Sequence, residues 1–109
     1  MHALALALVA AVSGLHGIVT RGPTHPVCQV GTPCTAPAVG TVLVFSRSGH
    51  APVKVRIGAG GRYSARLAAG YYAVSTSPPA RIGGIKPREV RVRAGVDGHL
   101  DFRIDTGIR

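Results

Sequence analysis

Asparagine and tryptophan are absent from this chain, and acidic residues are scarce. The lack of Asn excludes N-glycosylation sequons and the Lys-Asn isopeptide cross-link that staples some bacterial surface β-domains. With no Trp, only two Phe and three Tyr, the core is expected to be built mainly from Val, Ile, Leu and Ala, which suits thin sheets packed face to face. Acids are limited to Glu89, Asp97, Asp101 and Asp105, against eleven Arg and two Lys, for a formal net charge of +9. A field of that sign favours anionic partners. The competing reading is that an Arg-over-Lys bias with abundant Ala and Gly reflects a GC-rich coding sequence, the arginines being ordinary solvated strand faces. Nucleic acid is not an expected partner, because the basic residues are dispersed without an interleaved aromatic stacking platform.

What is present fits one small exported domain. At 109 residues the chain has room for a single modest core and no second one. Residues 2 to 13 form an apolar run of signal-peptide length, too short to span a membrane, so residues 1–14 are expected to be a cleaved leader and 15–109 the domain. The leader lacks Lys or Arg ahead of its apolar run, and a helical core segment is the alternative. Val12-Ser13-Gly14 offers small residues for cleavage, with Leu15-His16-Gly17 a poorer choice. The mature chain then carries no transmembrane segment, and localisation is expected to be secreted or at the cell envelope.

Cys28 and Cys34 are the only cysteines, in a Pro- and Gly-rich loop over residues 22–38. An exported chain with an even cysteine count favours a disulfide between them. A rigid loop on a β-scaffold is where binding residues usually sit, which nominates His25 and Gln29. The alternative is a metal site at His25, Cys28 and Cys34, with His16, His50 or His99 as a fourth ligand. Against it stand the wide cysteine spacing, the stiffening prolines and an oxidising compartment. Taken alone, His50 and His99 read as exposed strand-end residues with nothing in the sequence to pair them.

From Gly17 onward the chain reads as seven short strands. They cover residues 17–21, 39–45, 53–57, 62–67, 71–77, 89–93 and 100–104, with Val42 to Phe45 apolar on both faces and therefore central. Gly58 to Val74 reads as a β-hairpin in which Tyr63, Ala65 and Leu67 face inward while Arg62, Ser64 and Arg66 face out. Residues 78–87 form a loop, and Gly95-Val96-Asp97-Gly98 the last turn. Asp101 and Asp105 are expected to pair across strands with Arg91 and Arg93. With no amphipathic helix of useful length, the class is all-β: a seven-stranded Greek-key β-sandwich.

Gly61-Arg62-Tyr63, Leu67, Gly70-Tyr71-Tyr72 and Val74 together resemble the "DG-x-Y/F … L-x-x-G-x-Y" core of carboxypeptidase regulatory-like domains. Gly60 stands where that family has Asp, and Ala68-Ala69 where it has Pro-Pro. The resemblance spans about the last seventy residues and implies a prealbumin-like sandwich of the carbohydrate-binding-like group. Two loop segments, Gly22 to Cys28 and Gly31 to Cys34, together with the terminal Asp105 to Arg109, resemble a group of small exported bacterial proteins of this fold. That second resemblance implies a fold and a compartment, not an activity.

Catalysis is not expected. The Tyr-Arg-Gly-Ser tail of transthyretin-like hydrolases is missing, and Tyr63 and Tyr72 are better placed as core residues than as iron ligands of a protocatechuate-type dioxygenase. Asp101 and Asp105 sit beside Arg103, which favours two ionised carboxylates over an acid–base pair. Ser46, Ser48 and Ser64 show no His and Asp at a legible spacing. The expectation is a non-catalytic module, without cofactor, that binds or buttresses an envelope or extracellular partner: an anionic polymer, a glycan or a protein. Its candidate contacts are Arg62, Arg66, Arg91 and Arg93 with His25 and Gln29, and a purely structural accessory domain is the alternative.

Overall fold

The computed structural model describes residues 13–31, 34–79 and 84–107, and all regular structure there apart from one three-residue 3₁₀ turn is β. In chain order the strands are β1 (Gly14–Gly22), β2 (Ala36–Pro37), β3 (Val42–Ser46), β4 (Val53–Arg56), β5 (Arg62–Arg66), β6 (Gly70–Ser77), β7 (Ile85–Lys86), β8 (Glu89–Val92), β9 (Asp97–His99) and β10 (Phe102–Asp105). They form two sheets packed as a sandwich. The expected leader, up to residue 12, and the terminal Ile108 and Arg109 lie outside the described residues.

Ten strands replace the expected seven for three local reasons. β2 and β7 are two-residue pairings inside segments read as loops. β9 and β10 are one strand broken at Leu100 and Asp101, both running parallel to β1. The last turn accordingly shifts back to Ala94 and Gly95, because Asp97 and Gly98 are already paired with Gly14 and Leu15. β1 also starts three residues earlier than expected. The boundary drawn at residue 14 falls on its first residue, and Ser13 binds the Leu67 carbonyl at 2.6 Å.

The first sheet is organised around β1, which pairs antiparallel with β5 and then β2 on one edge and parallel with β9 and then β10 on the other; β7 adds to β10. The second sheet has the order β4-β3-β6-β8 and is antiparallel throughout. β3 is central there, as its apolar run requires, with Leu43 and Phe45 fully buried and Val42 and Val44 half-buried on the outer face.

The expected hairpin is not one. β5 pairs with β1 in the first sheet, whereas β6 pairs with β3 and β8 in the second, so residues 67–69 form an arch between sheets. Alternation puts Tyr63, Ala65 and Leu67 into the core as expected, but it specifies a face and not a neighbour. The Tyr72 hydroxyl donates to the Ala68 carbonyl at 2.6 Å and closes the arch from within.

The core is mainly aliphatic, as expected, and four of the five rings meet at its centre. Phe45 and Tyr72 come from the second sheet, Tyr63 and Phe102 from the first. Phe45 lies 6.2 Å from Phe102 and 6.5 Å from each tyrosine, the contacts to Phe102 and Tyr72 being edge-on. That is the geometry the ring quadrupole favours.

Candidate functional site

Cys28 and Cys34 form a disulfide with Cα atoms 5.6 Å apart. Both sulfurs are thereby engaged with each other rather than standing as thiolates for the alternative metal site at His25, Cys28 and Cys34. His25 and Gln29 are exposed on this loop, as are Val27 and Val30. The loop is closed on itself where the Thr24 N–H donates to the Cys34 carbonyl at 2.8 Å, and it is tied to the end of β10 where Thr106 donates to the carbonyls of Gly22 and Pro23. Closing so short a loop restricts the unfolded chain by roughly 2 kcal/mol. Cys28→Ser/Cys34→Ser is therefore expected to lose about that much in denaturant titration and to keep the fold.

The four nominated arginines do not share a face. Arg62 and Arg66 lie on β5 in the first sheet, while Arg91 is on β8 and Arg93 follows it in the second. On the outer side of the second sheet, Lys54 and Arg56 occupy one edge strand and Arg91 the other. Cross-strand register gives the floor between them: Val44 lies opposite Lys54 and Ser75, Val42 opposite Arg56 and Ser77, and Tyr71 opposite Arg91. With strands about 4.8 Å apart, the two edge strands stand roughly 14 Å from each other over small side chains, and Arg91 lies four to six register positions along them from Lys54 and Arg56, roughly 13 to 20 Å. Tyr71 is 70% exposed and carries the Arg91 guanidinium 5.6 Å from its ring centre. Glu89 is the acid on this face.

The acids expected to neutralise Arg91 and Arg93 are elsewhere. Asp105 lies on β10 in the opposite sheet and Asp101 in the break before it, and Asp101, like Asp97 on β9, turns to a histidine instead. His16 Nδ1 lies 3.1 Å from Asp97 Oδ1, and His99 Nε2 lies 3.1 Å from Asp101 Oδ1. Among the described residues, Lys54, Arg56 and Arg91 make no ion pair with Glu89, Asp97 or Asp101.

The break between β9 and β10 explains this cluster. The Leu100 N–H still donates to His16 at 2.9 Å, but its carbonyl turns inward to accept from the Tyr63 hydroxyl. The next amide of β1, Ile18 N–H, donates instead to Asp101 Oδ1 at 2.8 Å. Asp101 is thus fixed over β1 and reaches His99, whose ring centre is 5.4 Å from that of His16. Burial, followed by the charges of Asp101 and Asp97, pushes the Tyr63 hydroxyl well above the ordinary tyrosine value of 10.0. A raised acid favours the folded state fully below the unfolded pKa, and that stability is lost as pH rises beyond it. Unfolding free energy should therefore fall from about pH 10 upward, and Tyr63→Phe should flatten that alkaline limb in denaturant titrations.

No family model and no curated protein matches the chain. One solved structure is similar. A DUF3823 family protein from Parabacteroides merdae aligns at 24% identity with a TM-score of 0.44, over 88% of this chain and 46% of that one. The chain thus spans about half the length of that protein. Sequence reasoning missed Lys54 and Arg56 as partners of Arg91, because strand order alone unites them. It also missed His16 with His99, which lie 83 positions apart and meet through the parallel pairing of β1 with β9.

Proposed function

We propose that the domain is a non-catalytic, exported module that binds an anionic polymer of the cell envelope across the outer face of β4-β3-β6-β8. The observation that carries this reading is the uncompensated charge of that face: Lys54, Arg56 and Arg91, with Arg93 just beyond the edge strand, against Glu89, with which none of the three makes an ion pair. A floor of Val, Ala and Ser side chains between two basic rims leaves room for an extended chain. Tyr71 adds an exposed ring on which a sugar can stack, its face shared with Arg91. The resemblance to carboxypeptidase regulatory-like domains, with their prealbumin-like sandwich, supports a binding role over a catalytic one. The disulfide fits an extracellular setting.

In this reading Arg62 and Arg66 are peripheral, since Asp97 and Asp101 sit on their sheet and offset them. His25 and Gln29 are left to a protein contact at the disulfide loop. The test is co-sedimentation of the chain with isolated envelope fractions at low and high salt. Retention at low salt that falls steeply as ionic strength rises is the expected result. No retention at low salt removes the proposal and leaves a structural accessory domain whose arginines reflect coding bias.

A further inference from the structure

We infer that the outer face of the first sheet is a binding site for a late first-row divalent cation, zinc in the first instance, held by His16 and His99. The two residues are register partners on β1 and β9, so their side chains stand side by side on one face. A carboxylate oxygen only accepts hydrogen bonds, so each contact with an ionised Asp assigns the proton to a nitrogen: His16 carries it on Nδ1 against Asp97, His99 on Nε2 against Asp101. That leaves Nε2 of His16 and Nδ1 of His99 as lone-pair donors. An imidazole whose other nitrogen is held by a carboxylate is the arrangement that orients histidine ligands and raises their basicity.

Ring separation is consistent with a shared ion. Two imidazoles on a tetrahedral zinc, with Zn–N about 2.0 Å, place their ring centres about 5 Å apart, and here they are 5.4 Å apart. Both rings and both carboxylates are open to solvent, so an ion can enter and water can fill its remaining positions. The two carboxylates also offset, locally, the positive field of the chain. No set of three His, Cys, Asp or Glu side chains converges among the described residues, so the protein supplies two nitrogens and the site stays open to an exogenous ligand. Imidazole donors select zinc, copper or nickel over magnesium or calcium.

The experiment is calorimetric titration of the full chain with zinc chloride. The account expects one site, weakened at least tenfold by His16→Gln and by His99→Gln and about tenfold by Asp97→Asn, with His50→Gln and His2→Gln unchanged. On the unmodified chain, zinc should shift the imidazole resonances of His16 and His99 before those of His2, His25 and His50, a readout that needs no variant to fold. Wild-type affinity in His16→Gln, or first shifts at His2 or His25, would overturn the assignment. Because these residues lie on the opposite sheet from the basic face, failure here leaves polymer binding untouched.

Discussion

Phe45→Ala is expected to lower the unfolding free energy by about 3 to 5 kcal/mol, a large share of what a domain this size possesses. Phe45 is fully buried and touches a ring from each of three strands, two of them on the opposite sheet. Its removal leaves a cavity at the one place where the sheets are joined by aromatic contacts. The two tyrosine rings beside it are held by their own hydrogen bonds, Tyr63 to the Leu100 carbonyl and Tyr72 to the Ala68 carbonyl, so they have little freedom to collapse into it. The check is a denaturant titration at constant slope, since a changed slope reports an altered unfolded state. Val53→Ala, on an edge strand and half-buried, should cost far less.

Gly17→Ala is the second large effect and the one that links stability to the site. A Cβ on Gly17 would clash with the Leu100 carbonyl oxygen and come within 2.7 Å of Asp101 Oδ1. Neither group is free to retreat. The carbonyl is bound by Tyr63, the Leu100 amide by His16, and Asp101 by both the Ile18 amide and His99. Relief requires β1 and the β9–β10 break to separate, at a cost of about 3 kcal/mol. The variant should therefore lose stability and also the His16–His99 juxtaposition, seen as loss of the ordered zinc response. Gly58→Ala is the control: its nearest neighbour would be the Arg62 carbonyl at 3.7 Å, and near-neutral stability is expected.

Alternation of side chains made much of this architecture legible. Val53, Val55, Tyr63, Ala65, Tyr72, Val74, Val90 and Val92 all face the core as the period-two pattern requires. What alternation cannot carry is which strands are neighbours. The glycine-bounded β5 and β6 looked like a hairpin because a short turn joins them, yet each finds its hydrogen-bond partners in a different sheet. That fact moves Arg62 and Arg66 away from Arg91 and Arg93, while the pairing of β4 with β3 brings Lys54 and Arg56 onto the face of Arg91. The His16–His99 pair was invisible for the same reason, reinforced by β1 starting earlier than its apolar residues suggested. The mainly aliphatic core and the burial of Tyr63 and Tyr72 were legible, but not the meeting of four rings at its centre, which depends on how the two sheets face each other.

The most direct test of the basic face compares two variants of equal charge. Arg91→Ser/Arg93→Ser and Arg62→Ser/Arg66→Ser each remove two positive charges, one pair from each sheet, and their affinities for a defined anionic glycopolymer are measured against salt concentration. The account predicts that Arg91→Ser/Arg93→Ser weakens binding at least tenfold and flattens its salt dependence, while Arg62→Ser/Arg66→Ser retains both within a factor of about three. Equal losses in the two variants would show that net charge alone governs binding, and would contradict a site on the outer face of β4-β3-β6-β8.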